Sequence, residues 1–104
     1  MDISAIKKLC NEKRLRWTNH IFVRLIQRGI KIQDIIDAIN VGEVIEDYPE
    51  DNPYPSCLVM GKVGNKYLHI VCGINEKTNE LWFVTAYYPD TERWDEGFRY
   101  RKEK

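Results

Sequence analysis

Apolar residues recur three and four apart through the first part of the chain and alternate with polar ones later, so helices come first and strands follow. Ile3, Ile6, Leu9 and Cys10 predict a helix within residues 2–14, and Asp2 is placed to favour its N-terminus. Arg14-Leu15-Arg16 breaks that pattern. Thr18 is a good N-cap, because its hydroxyl accepts from an amide otherwise unpaired one turn on. Gly29 is a good stop, since helices commonly end on a residue at positive φ. A second helix of about three turns is therefore expected from Thr18 to Gly29, with Ile21, Phe22, Leu25 and Ile26 as its apolar arc. Ile35, Ile36 and Ile39 repeat the spacing, and Gly42 closes a third, short helix.

Glu43 to Tyr48 is a short strand candidate, and Pro49, Pro53 and Pro55 mark the loop after it. Ser56 to Val63 and Tyr67 to Ile74 read as strands joined by a tight turn at Gly64-Asn65. A further strand runs from Glu80 to Tyr88 and ends at Pro89-Asp90. The tail, from Thr91 on, carries Trp94, Phe98 and Tyr100 among charges and suits a short helix or a final edge strand. The expected fold is α+β: one domain over residues 1–104, with N-terminal helices packed on a three- to four-stranded antiparallel sheet. Parity turns Leu58, Met60, Leu68, Ile70, Cys72 and Ile74 inward, and Tyr67, His69 and Val71 outward. In the last strand parity is ambiguous: Leu81, Phe83, Thr85 and Tyr87 share one face, and Trp82, Val84, Ala86 and Tyr88 the other.

Composition narrows the picture. No apolar run approaches the ~20 residues of a membrane span, and the first residues lack the apolar core of a signal peptide, so a cytoplasmic protein is expected. Cys10, Cys57 and Cys72 are odd in number and lack CxxC spacing, which argues against a disulfide framework or a standard zinc site. The net charge of zero argues against a general nucleic-acid coat. The charge is nevertheless uneven: +4 over residues 1–42, −5 over 43–60 and +1 over 61–104. A basic helical half beside an acidic loop permits a local site for an anionic ligand. The acids Glu46, Asp47, Glu50 and Asp51 lack the ligand order of a calcium loop and read as a wet loop.

His20, Arg24 and Arg28 stand four apart on the second helix. At 100° per residue His20 and Arg24 lie opposite the apolar arc and Arg28 at its edge. A histidine and two arginines on one stripe can grip a phosphate and move a proton. They can equally be a solvated face, one arginine pairing with an acid of the loop 46–51.

The run Trp17-Thr18-x-His20-x-x-x-Arg24-x-x-x-Arg28-Gly29-Ile30 resembles the start of the DUF4258 family. Gly42-Glu43-x-Ile45-x-x-Tyr48-Pro49, Pro55-Ser56-Cys57-Leu58 and Thr85-x-Tyr87-x-Pro89-Asp90 with Trp94 extend the resemblance from about Arg16 to Arg101. That family is similar in fold to the RelE/ParE-like toxins, including the BrnT branch. The resemblance implies a small α+β toxin that cleaves RNA without metal or cofactor, paired with an antitoxin protein that in some systems bears a zinc finger.

Such cleavage needs a base, an acid and cations for the crowded phosphate. His20 is then the natural proton carrier, and Arg24 and Arg28 the phosphate grip. His69 is a second proton carrier on the outer sheet face, and Tyr87 a proton donor or a base-stacking ring. Trp17, Tyr88, Asp90 and Trp94 complete the candidate substrate-binding set, Asp90 as a carboxylate that orients an Arg or His. Against these stand ordinary roles: a strand histidine with a polar neighbour, and aromatics that pack. A non-catalytic binding module on the same scaffold is the alternative. A DNA-binding helix pair ranks below it, because Gln33, Asp34 and Asp37 on the third helix repel phosphates.

Overall fold

The computed structural model describes residues 1–102. Three helices, α1 (Ile3–Asn11), α2 (Ile21–Arg28) and α3 (Ile32–Val41), lie against one face of a five-stranded sheet. Its strands are β1 (Leu15–Trp17), β2 (Glu43–Tyr48), β3 (Ser56–Val63), β4 (Lys66–Asn75) and β5 (Glu80–Tyr87), in the order β1-β5-β4-β3-β2. The α+β expectation holds, but the sheet is mixed and one strand larger than predicted. β2 to β5 pair antiparallel, whereas β1 runs parallel to β5, Leu15 opposite Leu81 and Trp17 opposite Phe83. No helix among the described residues is long and apolar enough to cross a membrane.

The segment read as a break is thus an edge strand. Arg14-Leu15-Arg16-Trp17 alternates polar and apolar, the period of a strand. The run is too short to form alone and is held by β5: the Leu81 amide donates to the Arg14 carbonyl at 2.8 Å and the Thr18 amide to Phe83 at 3.1 Å. Thr18 therefore does not cap α2. Its hydroxyl donates to the Val84 carbonyl at 3.1 Å, and the helix starts later, with His20 at the cap position making no side-chain capping bond. Asp2 does cap α1, accepting from the Ser4 amide at 2.9 Å. Gly29 ends α2 at φ 66°, in the left-handed region where a side chain is strained.

Between sheet and helices the core comprises Ile6, Leu9, Ile21, Leu25, Ile35, Ala38 and Ile39 from the helices. The strands contribute Cys57, Val59, Leu68, Ile70, Cys72, Leu81, Phe83 and Ala86. Two expectations are corrected here. In β3 it is Cys57 and Val59 that face the helices; Leu58 and Met60 pair with Val71 and His69 and share their outer face. In β5 the ladder slips between Val71 and Cys72, whose partners are Thr85 and Phe83, so Val84 bulges out. Leu81 and Phe83 point inward before the bulge and Ala86 after it.

Leu58, Met60 and His69 are buried even though no helix covers their face. The chain after β5 covers it instead. The predicted helix or edge strand is neither: residues 89–102 form turns closed by one isolated bridge between Trp94 and Arg101. Asp90 starts these turns by accepting from the amides of Glu92 at 3.1 Å and Arg93 at 2.8 Å. The Arg99–Glu43 ion pair and the Arg101–Glu46 ion pair pin the segment to β2. The acidic segment thus supplies anchors for this tail, which its reading as a wet loop missed.

Candidate functional site

At the end of β5 the C-terminus of α2 and the tail enclose a cleft of about 310 Å³. Arg28, Tyr87, Tyr88, Asp90, Arg93, Trp94 and Arg101 line it. Five of these were candidates from sequence; Arg93 and Arg101 were not.

Arg28 reaches the cleft because it lies on the buried side of α2. Its Nη1 donates to the Ala86 carbonyl at 2.8 Å and to Thr85 Oγ1 at 3.2 Å, which fixes the guanidinium against β5. Two hydrogen bonds to neutral groups leave its charge uncompensated. Among the described residues neither Arg28 nor Arg93 has a carboxylate within ion-pair reach. Arg101 is spent differently. It holds Glu46 through Nε at 2.9 Å and Nη2 at 3.0 Å, and its guanidinium stacks 4.6 Å above the Trp94 ring. Burial alone would raise the Glu46 carboxyl, but hydrogen bonds from Arg101 and Tyr48 hold it below its ordinary 4.5.

His69 forms the floor behind Tyr87. It is 0% exposed, with Trp94 edge-on at 4.5 Å and Tyr87 edge-on at 5.3 Å. Nε2 lies 2.8 Å from the Phe98 carbonyl oxygen. A carbonyl only accepts, so Nε2 carries the proton and Nδ1 presents a lone pair, 3.4 Å from the Tyr87 hydroxyl. Burial pushes this imidazole below its ordinary 6.5, with the Phe98 bond and Glu46 opposing, so it is neutral at pH 7. Burial likewise raises the Tyr87 phenol above its ordinary 10. The cleft therefore places a neutral phenol beside two free guanidiniums, with an imidazole lone pair at its back.

The other candidates lie elsewhere. His20 and Arg24 are exposed on α2 and line no part of the cleft. Trp17 stacks on Phe83 at 4.6 Å and on Phe22 at 5.6 Å, a packing role. Asp90 borders the cleft, but its bonds go to backbone amides rather than to an Arg or His. His69 is on the outer face as parity predicted, yet the tail shields it from solvent. Glu46, Tyr48 and Phe98 were missed. The signal for Glu46 and Arg101 was their opposite charge, which sequence alone does not pair.

The domain of unknown function DUF4258 has a family model that matches residues 17–88. The chain belongs to the DUF4258 family. The matched residues include Arg28, His69, Tyr87 and Tyr88 and stop before Asp90, Arg93, Trp94 and Arg101. The DUF4258 match thus covers the sheet-and-helix wall of the cleft, and the tail that closes it lies beyond. No curated protein and no solved structure matches the chain.

The His69 latch makes the tail sensitive to acid. With the tail closed, His69 binds its proton less readily than in an open tail, where its pKa returns to about 6.5. This contribution is whole above pH 6.5 and falls as the pH drops below it; the depressed Glu46 adds a second loss below about 4.5. Hydrogen exchange checks this at the Lys102 amide, which donates to the Arg93 carbonyl at 2.8 Å. Its protection, corrected for the intrinsic rate, should decline between pH 6.5 and 5 while that of β4 amides stays level.

Proposed function

We propose that the protein is a metal-independent endoribonuclease of toxin type, held in check by a partner protein, and that it works at the cleft closed by the tail. One observation carries the reading: a neutral Tyr87 phenol shares a cleft with the unpaired guanidiniums of Arg28 and Arg93. The similarity in fold of the DUF4258 family to RelE/ParE-like and BrnT toxins, which the motif resemblance implies, supports it. Arg28 and Arg93 bind the phosphodiester and stabilise the charge that builds on it. The RNA 2′-oxygen bonds to phosphorus as the bond to the 5′-oxygen breaks. The 2′-proton leaves to water, and Tyr87 protonates the departing 5′-oxygen. The products are a 2′,3′-cyclic phosphate and a free 5′-hydroxyl. Tyr88 offers a ring for stacking of a flanking base, whereas Trp94, expected from sequence to bind substrate, is 2% exposed beneath the Arg101 guanidinium and packs the tail instead.

The test is cleavage of an end-labelled single-stranded RNA in excess EDTA, with the new 3′ end identified by mass. Arg28→Ala should lower the rate at least ~100-fold. Its cost in stability should be only about 1–2 kcal/mol for two neutral-acceptor hydrogen bonds. No cleavage by wild type overturns the enzymatic reading. Cleavage abolished by His20→Ala or Arg24→Ala in folded protein, and spared by Arg28→Ala, moves the chemistry to the exposed stripe. A purely binding role is the second reading, favoured by the apolar exposure of α2.

A further inference from the structure

β3 and β4 carry two thiols that stand directly opposite one another. Cys57 is the register partner of Cys72, and both side chains belong to the core under the helices. Opposed residues of an antiparallel pair are about 4.5–5.5 Å apart at Cα, inside the roughly 4.4–6.8 Å that a disulfide spans. Both cysteines lie on interior strands and are 0% exposed, so packing on every side holds the pair together. The hairpin 58–71 separates them along the chain, and for that reason no CxxC spacing announces them. Packing asks only for small apolar side chains here, and the next inward pair, Val59 and Ile70, meets that need without sulfur.

The two sulfurs are already in contact, the Cys72 thiol donating a hydrogen bond to the Cys57 sulfur. That bond favours the Cys57 thiolate and, against the opposing effect of burial, holds Cys57 below its ordinary 9.0. The same bond, with burial, pushes Cys72 up. A thiolate is the form that reacts with peroxide, so the two cysteines differ in role: Cys57 is oxidised first and Cys72 resolves. Cys10 of α1 joins the same buried cluster, but it comes from a helix rather than from a paired strand, and burial raises its thiol.

We propose that Cys57 and Cys72 form a redox site, which a hydroperoxide oxidises to an intrachain disulfide between β3 and β4. The Cys57 thiolate attacks one oxygen of hydrogen peroxide and the O–O bond breaks. The departing hydroxide takes up the proton that Cys57 gave and becomes water. Cys57 is then a sulfenic acid, two electrons poorer. Cys72 attacks that sulfur, the S–S bond forms and the S–O bond breaks. The Cys72 proton leaves with the hydroxyl as a second water. Two thiols and one peroxide thus give one disulfide and two waters, and a low-molecular-weight thiol reverses the change by exchange. Because the pair is fully buried, the oxidant enters through local opening and the reaction is slow.

The test treats the full chain with hydrogen peroxide in native buffer and, separately, in concentrated urea, then alkylates and digests it. Digestion separates sulfur linkages from oxygen gained by Met1 and Met60. In native buffer the Cys57–Cys72 linkage should exceed all linkages to Cys10 at least tenfold, and dithiothreitol should restore both thiols. In urea the register is lost and linkages to Cys10 should take a comparable share, since loop closure depends only weakly on length. Cys10→Ala should leave the native reaction unchanged. In Cys72→Ala, which lacks the resolving thiol, oxidation should stop on Cys57 with gain of oxygen, and in Cys57→Ala Cys72 should stay a thiol. Far-ultraviolet circular dichroism of each variant confirms that the comparison is made on folded protein. Three thiols untouched in native buffer overturn the proposal, as does the same product mixture in native buffer and urea. A covalent dimer through Cys10, or oxygen gained on Cys57 of the wild type without a link to Cys72, overturns it too. The readout is sulfur chemistry alone, so its outcome is independent of whether the cleft cleaves RNA.

Discussion

Gly61→Ala should destabilise the protein by about 3 kcal/mol, near the top of the usual range for forcing atoms into a packed interior. The reason is the closeness of α3 to the middle of the sheet. A methyl on Gly61 would stand 2.1 Å from the Ala38 carbonyl oxygen, 2.6 Å from its carbon and 2.8 Å from its Cα. These are backbone atoms of a helix whose Ile35 and Ile39 are fully buried, so no side chain can swing aside. The helix must lift off β3, and contacts of Ala38 and Val59 open with it. Against the 5–15 kcal/mol of a typical domain such a loss is large. Urea unfolding reads it as a lower midpoint at unchanged slope. A change within 0.5 kcal/mol would mean that α3 sits further from the sheet than described.

Gly42 shows how a correct inference can have the wrong cause. Its place after Ile39 marked it as a helix stop, and α3 does end there. Yet its φ is −88°, open to any residue. What requires glycine is again closeness: a methyl would meet the Ala38 carbonyl oxygen at 2.6 Å and Val59 Cγ1 at 2.8 Å. Local pattern located the stop, and only tertiary packing explains it.

The same division runs through the rest of the fold. Asp2, Gly29 and the Gly64-Asn65 hairpin act within a few residues and were legible. The faces of β3 were not, because Cys57 to Met60 is apolar throughout and both sides of the strand are covered. The second cover is the tail, whose turns depend on distant anchors at Glu43 and Glu46. The bulge at Val84 leaves no residue signature, yet it brings Ala86 inward and Tyr87 onto the His69 face. The cleft was legible as a list of residue types and not as a place. Arg28, Tyr87, Tyr88, Asp90 and Trp94 were all named, but so were His20 and Arg24, which share the helical stripe with Arg28. Periodicity gave that stripe as one unit. The rotation of α2 on the sheet divides it, turning Arg28 to β5 and leaving the other two in solvent.

Tyr87→Phe should lower RNA cleavage by about 100- to 10,000-fold, the span expected when a positioned general acid is lost. The substitution removes one oxygen and keeps the ring that packs 5.3 Å from His69. Among the described residues the phenol's hydrogen-bonding contact with a side chain is the long 3.4 Å approach to Nδ1, so stability should change by less than about 1 kcal/mol. The loss should fall on kcat, with KM for RNA held by Arg28 and Arg93. Melting temperature and kcat therefore separate a catalytic oxygen from a structural one. A substrate with sulfur in place of the 5′-oxygen goes further, because a thiolate leaves without a proton. If Tyr87 supplies that proton, Tyr87→Phe cleaves the sulfur substrate at nearly the wild-type rate while Arg28→Ala does not. If both variants stay slow on the sulfur substrate, the phenol acts before bond cleavage, in holding the phosphate, and the acid is another group. If Tyr87→Phe cleaves ordinary RNA as well as wild type does, the phenol takes no part in the chemistry, and the neutral donor that supports an active cleft is gone.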